Sequence, residues 1–223
     1  MESVRRKKNA ALICTHKRGA ALALFPCDEG GIEQSLLSAR KHLSKFSTHL
    51  PHTIQLQLTG AQADFFHDRE DGFFYATCAG LTAENLAELY RFALASLACH
   101  DATVDVLGVV EGPGSFTGLR LGCAFVNGLK IGRNRDLFAI GGLLPADVRE
   151  RCSSLAEQCR PAFFAPESLE ADDPFAVPAA FADLLAHLDN WHRGSARNVA
   201  VAEPAYGREP TPVIKLKQHM GAP

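Results

Sequence analysis

The residue types best suited to chemistry in this chain crowd into one short stretch, GPGSFTGLRLG, residues 112–122. A serine in a glycine turn can be a nucleophile, and free N–H groups at a helix start can hold a phosphate. Spacing tests each idea. A Walker A loop needs four residues between its glycines and then Gly-Lys-Ser/Thr, whereas five separate Gly112 from Gly118 and Leu119 follows. The dinucleotide fingerprint G-x-G-x-x-G begins well at Gly112 and Gly114 but meets Thr117 where its third glycine belongs. In the G-x-S-x-G elbow of hydrolases, Pro113 stands in place of the first glycine. What remains is a turn, Gly112, Gly114, Ser115 and Thr117, whose N–H groups hold an anion only weakly. Ser115 or Thr117 is expected to cap the helix, and no His or Asp can be assigned to Ser115 by spacing.

Other chemistries find less support. Seven cysteines, an odd number without a C-x-x-C, read as free thiols in a reducing compartment. Nine histidines include no H-E-x-x-H, so no metal site and no cofactor are expected. A net charge of −2 argues against a whole-protein electrostatic nucleic-acid binder. The sign is uneven: residues 1–50 carry nine Lys/Arg against four Asp/Glu, and residues 51–132 four against nine. The basic run Arg5–Lys8 precedes too short an apolar stretch for a signal peptide, and nothing approaches a membrane span. A cytoplasmic protein without membrane contact is the expectation.

Elements must hold the turn in place. Val104, Val106, Leu107, Val109 and Val110 form the β-branched run of a covered strand ending near Glu111. The helix after the turn carries Gly118 and Gly122 one turn apart with Val126 on the same side, and stops at Gly132. Glycine costs about 1 kcal/mol against alanine inside a helix, so something must offset it: close packing on the chain's own sheet, or pairing with another subunit. A second helix runs from Leu81 to Leu97, with Thr82 as N-cap and Leu86, Leu89, Tyr90, Ala93, Leu94 and Leu97 on one face. Its Glu84 and Glu88 read as outward solvated charges.

The remainder reads as an α/β pattern. Ala10–Thr15 and Ala20–Phe25 are expected strands, followed by a helix over Ile32–Phe46. Ile54–Leu58, Ala61–His67 and Phe73–Ala79 make three more strands around the turn Arg69–Gly72. Beyond the glycine helix come a strand at Leu137–Ile140, a helix at Pro145–Gln158 and a proline-rich linker at 161–178. A short helix, Phe181–Trp191, and a last strand, Asn198–Ala202, complete the pattern.

Taken as one string, GPGSFTGLRLG resembles the signature of the TsaB (YeaZ) family. That family is the non-catalytic partner of the TsaD enzyme in bacterial synthesis of threonylcarbamoyladenosine on tRNA. The resemblance extends from about Thr53 to about Leu144, and the tail EPAYGREP is similar to the family's E-P-x-Y-x-R. It implies an actin-like (ribonuclease H-like, ASKHA) α/β fold, a mixed sheet with helices. The family's D-A-R-x-G-E-V-Y strand is missing here, so the second lobe is expected to be reduced.

Two registers are open, with either ALICTHKRGAALAL or IQLQLTGAQADFF as the family's opening hairpin. Distance to the turn favours the second, which makes residues 1–50 an extension, 51–148 the TsaB-like first lobe and 149–223 a reduced second lobe and tail. The family's L-x-L-D-T-S acid is kept in neither register: Thr59 stands there in one and Cys14 in the other, and neither can hold magnesium as a carboxylate does. The resemblance thus implies a non-catalytic assembly subunit that binds a TsaD-like protein, forms a homodimer when alone, and meets tRNA only through the complex. The implied interface is Leu86, Leu89, Tyr90 and Leu94 of one helix with Phe116, Gly118, Arg120, Gly122 and Val126 of the other. A degenerate paralogue with a different protein partner and a small actin-like ATPase or kinase are the competing readings.

Overall fold

The computed structural model describes residues 8–15, 19–27, 31–45, 54–59, 61–79, 83–112, 116–141, 184 and 187–206. The expectations for Thr82 as a cap, for the helix at 145–158 and for the linker at 161–178 lie outside these residues. The described strands are β1 (Lys8–Thr15), β2 (Gly19–Cys27), β3 (Ile54–Leu58), β4 (Ala61–Asp68), β5 (Phe73–Ala79), β6 (Val104–Gly112), β7 (Asp136–Gly141) and β8 (Ala196–Asn198). The helices are α1 (Gly31–Lys45), α2 (Ala83–Ser96) and α3 (Phe116–Lys130). They build one mixed sheet of order β3-β4-β5-β2-β1-β6-β7-β8.

β1 runs parallel to β6, and β6 parallel to β7, while the remaining neighbours are antiparallel. This pairing corrects the favoured register. The hairpin that lies against the strand of the glycine turn is β1–β2, with Ile13 opposite Val109, whereas β3 stands at the far edge. β1 and β2 are therefore no appendage but the middle of the sheet. The physical reason is two-sided burial. In β1, Ala11 and Ile13 join the core on one face and Ala10, Leu12 and Cys14 the core on the other, all fully buried. A strand apolar on both faces needs a central position.

α2 and α3 cover one face. Leu86, Leu89, Tyr90, Ala93 and Leu94 of α2 meet Cys123 and Val126 of α3 over Ile13, Leu22, Val109 and Leu137. α1 covers the other with Leu36 and Ala39, beside Leu184, Leu188 and Trp191. Trp191 lies over β6 so closely that a Cβ on Gly108 would run into its indole ring. Arg40 of α1 and Arg193 both pair with the buried Asp189, which ties that helix to the 187–195 segment. The expected strand at Asn198–Ala202 is displaced: pairing with β7 ends at Asn198, apart from Val199 N–H to the Leu137 carbonyl, and the chain then turns toward α3. The described part of the expected second lobe thus adds to this same sheet, and no second sheet occurs among the described residues.

Candidate functional site

β6 ends at Gly112, and α3 begins at Phe116. Gly112, buried at the end of β6, has φ +127°, and a Cβ there would collide with the carbonyl oxygen of Ala205 and come within 2.9 Å of Leu119 Cδ1. Glycine is thus required twice, by its backbone angle and by the tail that crosses it. Gly114 and Ser115 lie outside the described residues, so the anion site and the serine cap remain sequence expectations. Thr117 is exposed in the first turn of α3.

The tail crosses the end of β6 at Gly112 as a strap. Lys130 Nζ donates to the Val199 carbonyl at 2.9 Å. Asn127 clasps Ala202 twice, Nδ2 donating to its carbonyl at 3.0 Å and Oδ1 accepting from its amide at 2.9 Å. Ala205 N–H donates to the Glu111 carbonyl at 2.6 Å. Tyr206 then stacks on Phe116, ring centroids 3.8 Å apart and planes 11° from parallel, and its hydroxyl accepts from Arg120 Nε at 2.8 Å. Arg197 holds both oxygens of Glu111, at 2.7 and 2.8 Å. The segment Val199–Tyr206 therefore runs back along α3 from its last turn to its first.

Arg120, the nearest base in the motif, is engaged by Tyr206. Cys14, next to last in β1 on the face opposite α3, is fully buried. Burial, with the charge of Glu111, pushes the Cys123 thiol up to about 11, so it stays protonated and inert near neutral pH.

The other expected site residues separate into two groups. Gly118, Gly122 and Val126 face the chain's own sheet: a Cβ on Gly122 would lie 2.5 Å from Thr15 Oγ1 and 3.0 Å from its Cγ2. Leu86, Leu89, Tyr90 and Leu94 are buried in the same core. These seven are corrected from seam to core, since a side chain sealed inside the monomer has no surface to offer a partner. Tyr90 also has a structural task, its hydroxyl donating to Asp101 Oδ1 at 2.9 Å, where Arg135 and Arg133 converge. Exposed on the same helices are Thr117, Arg120, Ala124 and Gly128 of α3 and Glu84, Arg91 and Ala95 of α2. Gly128 has open space where a Cβ would stand. Glu88 differs from its expected role as a solvated charge, because its carboxylate accepts from Thr59 N and Oγ1 at 2.8 and 2.5 Å.

Sequence reasoning missed the strap as a device, although its one legible signal, the E-P-A-Y of residues 203–206, lay in the noted tail. Glu111, Asn127, Lys130 and Arg197 gave no signal, being ordinary polar residues in helix, strand or loop.

Among known proteins, the family model of TsaD, tRNA N6-adenosine threonylcarbamoyltransferase, matches residues 57–144, less than half of the chain. No curated protein matches it. Among solved structures, YeaZ from Pseudomonas aeruginosa aligns at 17% identity and TM-score 0.40, over 66% of this chain and 49% of that one. An uncharacterized protein with similarity to peptidase YeaZ, from the same organism, aligns at 18% identity and TM-score 0.39, over 64% and 47%. The chain spans about half the length of these structures. No helix among the described residues is long and apolar enough to cross a membrane. The sheet of three antiparallel strands β5-β2-β1 continued by parallel β6 and β7 is the expected actin-like arrangement, and the TsaD-family match runs across GPGSFTGLRLG at the end of β6.

Proposed function

We propose that this chain is a non-catalytic assembly subunit that binds a TsaD-like enzyme and supports threonylcarbamoylation of tRNA. The observation that carries the reading is the strap: the tail crosses the end of β6 at Gly112 and is fastened along α3 by Asn127, Arg120 and Phe116. Arg120 is engaged by Tyr206, and a buried cysteine stands where magnesium-binding relatives need a carboxylate. Such a surface suits docking better than turnover. The outward stripes Thr117-Arg120-Ala124-Gly128 of α3 and Glu84-Arg91-Ala95 of α2 are the proposed seam, with small residues on α3 that let a partner helix approach closely. The same seam would join two copies in the absence of the enzyme. The chain acts in the cytoplasm, where its tRNA contact passes through the enzyme.

Reconstitution tests this reading. A TsaD-like enzyme from the same cell should be retained on the immobilised chain, and tRNA modification by the reconstituted system should need the chain while the chain alone modifies nothing. Modification that proceeds equally well without it, or threonylcarbamoyl transfer by the chain alone, overturns the proposal.

A further inference from the structure

On the opposite face from the strap, three potential metal ligands converge from two elements. His42 comes from α1, and Asp68 and Asp71 from the end of β4 and the turn before β5. One donor atom from each lies within 4.8 Å of the others. The His42 ring is buried and stacked on Phe73, centroids 4.0 Å apart and planes 13° from parallel, with Phe66 and Tyr75 flanking it. Stacking fixes the ring plane, and Nε2 lies 3.2 Å from Asp68 Oδ2. The other oxygen of Asp68 is oriented by the amides of Glu70 and Asp71, each at 3.0 Å. Asp71 is exposed, and both it and His42 line an open groove that gives solvent access.

A simple ion pair between His42 and Asp68 leaves Asp71 unexplained. Among these three residues two carboxylates meet one imidazole, so even a protonated ring leaves the trio net negative. Arg69 and Lys41 line the same groove, but Arg69 Nε is directed to the Ser96 carbonyl at 2.9 Å. A dication would balance the site with the ring neutral. One imidazole nitrogen and two carboxylate oxygens suit zinc or a similar first-row ion, with bonds of about 2.0–2.2 Å and a water completing the tetrahedron from the groove. Magnesium and calcium favour all-oxygen shells. His42 lies 26 positions before Asp68, which hid the cluster from a search for short ligand spacings.

We propose that His42, Asp68 and Asp71 bind one divalent transition-metal ion of the zinc class. The ion clamps α1 to the β4–β5 turn on the face away from the strap. This proposal is independent of the docking reading.

The test uses the full chain titrated with Co2+, and with Zn2+ in competition. One equivalent should bind, with a cobalt spectrum lacking thiolate-to-metal charge transfer. Asp71→Asn, an exposed change that leaves the fold intact, should weaken binding roughly tenfold or more, and His42→Ala should abolish it. Strong thiolate charge transfer would place the ion on cysteines and overturn the proposal. So would an Asp71→Asn variant that binds as tightly as the parent, or a parent chain that binds no cation.

Discussion

Tyr206 Oη accepts from Arg120 Nε at 2.8 Å while the Tyr206 ring covers Phe116 four residues earlier in α3. One residue of the tail thus holds two residues of the glycine motif, and the geometry of α3's first turn depends on a segment 86 positions away.

Removing that ring should loosen the strap and leave the sheet intact. Stacking of this kind contributes about 0.5–1.5 kcal/mol beyond area burial. Tyr206→Ala is expected to speed hydrogen exchange of the Ala205 amide, which donates to Glu111, several-fold. Tyr206→Phe keeps the stack, loses the bond from Arg120, and should fall between. Unchanged exchange in Tyr206→Ala would mean that the remaining bonds, those of Asn127 and Lys130 among them, hold the strap without the ring.

Gly122 and Thr15 should behave as a coupled pair. A Cβ on Gly122 meets the Thr15 side chain at 2.5 Å, so Gly122→Ala is expected to destabilise by about 1–3 kcal/mol through overpacking, despite better helix propensity. Thr15→Ala makes room, and the double variant should recover most of the loss in a thermal melt. Additive losses would show that the two do not share that space.

The cluster around Asp101 gives a pH dependence. Burial opposes ionisation of Asp101, but hydrogen bonds from Arg135 and Tyr90 and the charges of Arg135 and Arg133 prevail, holding it below its ordinary value of 3.8. A depressed folded-state value contributes stability that is complete above the unfolded value and lost as pH falls through the folded one. Arg135 is 2% exposed and Asp101 35%. Arg135→Met should therefore cost roughly 2 kcal/mol at neutral pH, discounted from fully buried pairs for the solvent at Asp101. It should also flatten the acid limb of a stability-versus-pH curve below pH about 4. An acid limb as steep as the parent's would assign it to other carboxylates, Asp68 first, because hydrogen bonds from the Asp71 amide and His42 hold it low against burial.

Trp191 is the chain's single tryptophan and reports on the far face directly. Gly108→Ala puts a methyl group into its indole, so the ring must leave its place beside Phe138, 5.4 Å away. A red-shifted emission and a lower melting temperature are expected together. A stable variant with unshifted emission would deny the contact.

Much of the fold was legible because burial leaves its period in the sequence. Val104–Val110 read as a covered strand and Leu86–Leu97 as one apolar helix face, and both stand. Register was legible too, but in a signal that distance to the turn outweighed: Ala10–Cys14 is apolar on both faces, whereas Gln55 and Gln57 alternate in β3, which belongs at an edge. The direction of the Gly118–Gly122–Val126 line was not legible. Period identifies which residues share a face, and only the tertiary structure tells that Thr15, and no partner, covers Gly122. The strap and the His42 cluster escaped because their members are far apart in sequence and follow no period.

That distinction between inward and outward lines of α3 yields the sharpest test of the proposed assembly. Gly122 faces the sheet, while Ala124, two residues on, is exposed, and Gly128 continues its stripe with open space above it. Ala124→Arg adds a long charged side chain to the outer surface without touching the core, so the melting temperature should stay within a degree or two of the parent. If the stripe meets a TsaD-like enzyme or a second copy, the same change forces bulk and charge into a packed helix contact. Affinity should then fall at least tenfold in a pull-down, and sedimentation should show dissociation of any homodimer. Gly122→Leu should do the reverse in kind, lowering the melting temperature before any effect on assembly is measurable. An Ala124→Arg chain that retains both partner affinity and dimerisation would remove this face from the interface and leave the strap itself as the surface to test next.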